Sequence, residues 1–295
     1  MTIGGRMRWA DAPIVSFARD GQVFELGRSG LDPVLHLHGS TGLGVAPVDI
    51  AKTDRITGDG SVVRGVRYTD REVYIPLAVE AESPAALSEV RRTLTRLLAP
   101  HLGPVEVRIQ DPATGADRMI RGYYTEGLDG DFGDTFHGTW QTLGLTFTCP
   151  DPWWLGPERL VELRVNPGAK PFLSDTIPFF PVILAQSVVQ GRFDVEIEGD
   201  GPVSPTWEVL GPGTDLRISD GESVIEIDGD FAAGSPVVID AGSGRIVPDR
   251  WADTSLRSRL FDLAPGRHSL TVTLVSATAD TLVRLTYRER YLEGI

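Results

Sequence analysis

Hydrophobic and polar residues alternate with period two along most of the chain, in short runs cut by glycine and proline, which is the pattern of β-strands. The clearest run sets Val73, Ile75, Leu77 and Val79 on one side and Glu72, Tyr74, Pro76 and Ala78 on the other. Pro76 has no N–H for a ladder, so the pattern predicts a strand at a sheet edge or one carrying a bulge. One helix follows. Ser83 suits an N-cap, Pro84 the first helical position, and Leu87, Val90, Leu94, Leu97 and Leu98 form one apolar stripe before Pro100 and Gly103 stop it. Strands are predicted again at Val105 to Ile109, Met119 to Tyr124 and Leu143 to Cys149. The run from Pro150 to Pro157 breaks the alternation with three prolines and a glycine, marking a domain boundary. Beyond it the chain reads as strand after strand: Leu160 to Val165, Phe193 to Ile197, Trp207 to Val209, Leu216 to Ile218, Val224 to Ile227, Val237 to Ile239, Arg245 to Val247, Leu270 to Leu274 and Leu282 to Tyr291. The pattern therefore predicts a mainly β protein. A β domain with one α-helix fills residues 1–157, and an antiparallel β-sandwich fills 158–295.

Composition narrows the possibilities. With 28 Lys and Arg against 41 Asp and Glu in 295 residues, the formal charge is −13, which argues against a broad phosphate-gripping surface. The single Cys149 excludes an internal disulfide framework and a multi-cysteine zinc site. No apolar run is long enough for a membrane-spanning helix, and residues 1–20 lack an apolar signal core, so folding in a cytoplasm is expected.

No catalytic constellation emerges. The glycine-rich Gly39 to Gly44 has neither dinucleotide spacing nor a Walker lysine, and reads as a surface loop. A serine-hydrolase elbow is missing. Cys149 occupies an apolar strand position and reads as a small core residue. His36 and His38 fall on one face of a strand, yet nothing nearby completes a metal shell. Asp129, Asp131 and Asp134 resemble part of a calcium loop without its terminal Glu and read as an exposed turn. With 41 acidic residues, no glycosidase-type carboxylate pair can be singled out. The tryptophans carry more information. Trp153 and Trp154 stand at the boundary, as candidates for an interdomain or partner contact, while Trp207 and Trp251 are weak candidates for a sugar-stacking platform, with core packing the favoured role for each. No catalytic residue, metal site or cofactor is expected.

Five motifs in order resemble the distal tail proteins of long-tailed phages. They are the strand Arg71-Glu72-Val73-Tyr74-Ile75-Pro76-Leu77 and the helix end Leu97-Leu98-Ala99-Pro100 with Gly103-Pro104-Val105-Glu106-Val107. Then come Phe147-Thr148-Cys149-Pro150-Asp151-Pro152-Trp153-Trp154, Leu263-Ala264-Pro265-Gly266-Arg267-His268, where the family usually has Asn in place of His268, and Leu285-Thr286-Tyr287-Arg288-Glu289-Arg290-Tyr291. The resemblance implies a structural virion protein at the distal end of a non-contractile tail. Its N-terminal domains would form a hexameric belt around a channel through which DNA passes unheld, and its C-terminal galectin-like sandwiches would project outward. The implied partners are further copies of the chain, the tail tube, the tape-measure protein, the tail-tip hub and receptor-binding proteins. An edge strand at Val73, Ile75, Pro76 and Leu77 would suit a subunit interface. The alternative is a carbohydrate-binding module or adhesin built on Trp207 or Trp251, and a β-sandwich hydrolase is a third possibility.

Overall fold

The computed structural model describes residues 13–27, 33–129, 138–164 and 188–295. The chain divides into two units, Met1–Pro157 with Tyr291–Ile295, and Glu158–Arg290. The last five residues, read from the sequence as the end of the second domain, thus belong with the first.

In the first unit, β1 (Ile14–Arg19), β2 (Gln22–Glu25), β7 (Val105–Asp111) and β8 (Ala116–Glu126) pair in the order β2-β1-β7-β8. The far end of β8 turns to β9 (Trp140–Cys149), which pairs with β6 (Arg71–Glu80), and β6 pairs with β3 (Val34–His36). The register slips between Tyr124 and Glu126, a bulge that lets one strand serve two partners. Between β3 and β6, β4 (Val48–Asp54) and β5 (Ser61–Tyr68) form a separate two-stranded sheet.

The helix α1 (Pro84–Leu97) begins as its sequence requires, with Ser83 Oγ accepting from the Ala86 N–H at 3.2 Å. Its Leu87, Leu94 and Leu97, with Leu98 at the cap, enter a core containing Val15, Phe17, Ile75, Val107 and Phe147. There the Phe17 and Phe147 rings meet at 5.3 Å.

The edge expectation for the 71–80 strand is corrected. β9 runs the length of one side. On the other side β3 pairs with Leu77 to Val79, Leu37 donates its N–H to the Pro76 carbonyl at 2.9 Å, and Thr41 exchanges two bonds with Tyr74. Pro76 tolerates this position because the chain beside it asks for its carbonyl and not for a donor.

In the second unit, β12 (Thr206–Leu210), β15 (Val237–Asp240), β16 (Arg245–Val247), β18 (Leu282–Tyr291) and the continuation of β10 (Trp154–Arg164) form one sheet, ordered β16-β15-β12-β18-β10. The second sheet is β11-β17-β13-β14, from β11 (Val188–Ile197), β13 (Gly213–Ser219), β14 (Val224–Phe231) and β17 (Gly266–Val275). Alternate residues of both, among them Trp207, Ile218, Ile227, Val272 and Leu285, share one core, which makes this unit an antiparallel sandwich. β10 starts at Trp154, inside the proline-rich break, and carries Pro157 within it.

Candidate assembly site

The β4–β5 ribbon is the most unusual surface feature. Its register sets Val48 opposite Tyr68 and Ile50 opposite Val66, so four apolar side chains share one face. All are open to solvent, at 45%, 37%, 51% and 64% respectively. The opposite face carries the Asp49–Arg67 pair at 3.1 Å, which is exposed and adds little stability. Tyr68 anchors the foot of the ribbon by an edge-to-face contact with Trp153 at 5.3 Å. A two-stranded ribbon with no core beneath it is marginal in water, and a paired row of exposed Val, Ile and Tyr is a surface in want of cover. No sequence motif marked this hairpin. The signal was available in the alternation of Val48 and Ile50, the Gly58-Asp59-Gly60 turn, and Val62 with Val63.

A second feature absent from the sequence reading is a buried arginine. Arg71 is 1% exposed. Its Nη1 donates to the carbonyls of Gly42 and Gly44, and its Nη2 to Leu292 O at 2.8 Å. The guanidinium lies 5.8 Å from the Trp154 ring centroid. Burial pushes its pKa down, while the nearby Cys149 pushes it up. Three carbonyl acceptors keep the charge solvated from within. Gly42 is required here because φ is +78° and a Cβ would lie 2.0 Å from the Glu72 carbonyl oxygen.

The residues singled out by sequence fall in different places. Val73, Ile75 and Leu77 are each 0% exposed in the core of their own chain, and Pro76 is buried beside them, so these side chains have no surface to offer a neighbour. Trp154 is fully buried in the first unit, and Trp153 is half-buried on Tyr68. Trp207 is corrected as a platform candidate. It lies wholly inside the sandwich core, because it alternates in register with Val209 on the inward face of β12. Trp251 does stand on the surface, 47% exposed, in a short 3-10 turn.

His36 hydrogen-bonds Ser40 Oγ at 2.7 Å, and burial, then His38, lowers its pKa. Cys149 is buried, and desolvation drives its thiol up to about 12. No cluster of three or more His, Cys, Asp or Glu able to hold a metal occurs among the described residues. Of the acidic run, residues 130–134 lie outside the described residues.

Residues 198–291 match the family model for the siphovirus-type tail component, C-terminal domain. The match covers most of the second unit. The matched stretch includes both C-terminal motifs, Leu263 to His268 and Leu285 to Tyr291.

Among solved structures, the Dit (gp 19.1) protein of phage SPP1, described as a paradigm of hub adsorption apparatus in Gram-positive infecting phages, is similar. It is 18% identical, with a TM-score of 0.61 over 94% of this chain and 98% of that one. A chain of the phage P2 baseplate in its activated conformation with Ca matches at 10% identity and a TM-score of 0.55, over 94% and 98%. The corresponding structure with Sr matches at 11% and 0.53, over 93% and 98%. At these identities the likeness establishes the fold, and it spans both units. No match was found among curated proteins.

Proposed function

We propose that this chain is a structural distal tail protein of a long non-contractile-tailed phage, and that six copies close into a ring joining the tail tube to the tail tip. Its N-terminal units form the belt, and its C-terminal sandwiches carry baseplate and receptor-binding components. It has no catalytic role. It folds in the host cytoplasm and works in the virion.

The β4–β5 ribbon carries this reading, in company with the fold. Its apolar face lies open in the single chain, and a head-to-tail contact repeated around a closed ring covers every copy alike. The ribbon (residues 48–68) has four basic and three acidic side chains, 4 − 3 = +1, in a chain of −13. It is therefore attracted to another copy's surface. Six copies total 6 × (−13) = −78, a charge that suits a conduit through which DNA slides without being held.

Native mass spectrometry and sedimentation of the full chain test this. Six-membered rings are expected for the wild type, and monomers that remain folded by circular dichroism for the Ile50→Asp/Val66→Asp double variant. A wild type that stays monomeric at every concentration, with and without the tail-tube protein, would overturn the ring.

A further inference from the structure

On the face of the first unit's sheet turned away from its core, the β7–β8 register places Glu106 directly opposite Arg121, and Arg108 follows two residues along β7. Glu106 is gripped from both sides. Arg108 donates Nε and Nη2 to Oε2 at 3.2 and 2.6 Å, and Arg121 donates Nε and Nη2 to Oε1 at 3.4 and 3.2 Å. Burial disfavours the ionised carboxylate, but these bonds and charges outweigh it and hold the pKa below the ordinary range.

Beside the cluster, Arg19 is 9% exposed and is spent on the carbonyls of Ala99, Gly103 and Pro104. Arg19, Pro104, Glu106, Arg108 and Arg121, with the Asp20–Gly21 turn, line a cleft of about 320 Å³. Three arginines against Asp20 and Glu106 give 3 − 2 = +1 in a chain of −13. One carboxylate between two guanidiniums uses only their Nε and Nη2 donors. The Nη1 groups of Arg108 and Arg121 have no acceptor among the described residues, and both side chains reach solvent, at 43% and 56%. A guanidinium fork left half-used matches a further carboxylate.

We propose that this cleft receives an Asp or Glu side chain from a second copy of the chain, completing the arginine–carboxylate cluster across a subunit boundary. The inference rests on the ring reading. The strongly acidic chain supplies the matching charge itself, with 41 carboxylate side chains per copy. A carboxylate fits better than a DNA phosphate because one carboxylate neutralises the +1 left in the cleft, whereas a duplex brings a run of phosphates against that single surplus charge.

The test mixes isotopically heavy and light copies of an Arg121→Lys variant and treats them with a zero-length carbodiimide, which joins the introduced amine to a touching carboxylate. Mass spectrometry should find heavy–light crosslinks from position 121 to an acidic residue of the other copy. In parallel, Arg108→Gln/Arg121→Gln should weaken assembly about tenfold at about 50 mM NaCl and much less at about 500 mM, with the monomer still folded by circular dichroism. Rings that assemble undiminished in this double variant, with crosslinks only to Glu106 of the same copy, overturn the cleft contact and leave the ring standing. A wild type that never assembles overturns both. Loss of duplex DNA binding in the double variant, with assembly intact, makes the cleft a phosphate site and overturns the proposal.

Discussion

Arg71 donates Nη2–H to the carbonyl of Leu292 at 2.8 Å, across 221 positions of sequence. The strand that organises the first unit thereby holds the segment that returns to it after the whole second unit has been traversed. The returning segment is held at other points as well. Arg118 donates to Glu293 O at 2.6 Å and lies 3.8 Å from the Tyr291 ring centroid, and Gly294 donates to Leu43 O at 2.7 Å. Removing Arg71 leaves three carbonyls without their donor, each costing about 1–3 kcal/mol when buried.

Arg71→Met is therefore expected to lower the stability of the first unit by about 3 kcal/mol or more. Gly294→Ala should act in the same direction, because its Cβ would sit 2.7 Å from Trp154 Cε2, an overlap worth about 1–3 kcal/mol. Both changes loosen the same segment, so their combined cost should fall short of the sum. Urea unfolding of the two single variants and the double variant measures this. Equal shifts in both units would contradict a clamp local to the first.

Cys149 should be inert in the native state. Its thiol stands at about 12 where the ordinary value is 9.0, because burial disfavours the thiolate more than Arg71 favours it. Very little thiolate therefore forms at pH 8, and the buried sulfur also lacks access to reagent. Alkylation by iodoacetamide should be undetectable on a timescale that labels the urea-unfolded chain completely. Rapid native labelling would show that the β6–β9 core opens.

How far the fold could be read from sequence depended on whether a signal was local. The helix was fully legible, since its cap, first-turn proline and apolar stripe all lie within sixteen residues, Ser83 to Leu98. The alternation of β6 and β9 gave the buried face correctly. It could not say what lay on the other side of Pro76, because the covering segment, Leu37 to Thr41, carries no strand pattern. Arg71 was quoted only as part of a motif, since its acceptors come from residues 29, 27 and 221 positions away. For Trp207 the pattern already favoured the core over a platform. Its alternation with Val209 points inward, and the sandwich encloses it.

His36 gives the first unit a pH response with a definite sign. Burial, then the neighbouring His38, holds its folded-state pKa below 6.5. Such a group binds more protons when unfolded, so its contribution is complete above about 6.5 and declines as pH falls towards the lowered folded value. The melting temperature should fall more steeply between pH 7 and pH 5 in the wild type than in His36→Gln. Identical profiles would mean that the imidazole is free to charge in the folded chain.

The two tryptophans of the second unit should separate cleanly. Trp207 is 0% exposed, and its truncation to Ala leaves a large void in the sandwich core, at a cost of about 3–5 kcal/mol. Trp251 is 47% exposed, and the turn that presents it is held largely by Arg250, which donates to the carbonyls of Asp228 and Asp230 and stacks 4.7 Å from the Phe231 ring centroid. Trp251→Ala should therefore change stability by no more than about 0.5 kcal/mol. Urea midpoints for the two variants check the contrast. Of these two, only Trp251 can stack on a sugar, since a ring enclosed by two sheets has no free face. A glycan signal lost in Trp251→Ala, whose fold is intact, would identify a real platform. A signal lost only in Trp207→Ala would report unfolding.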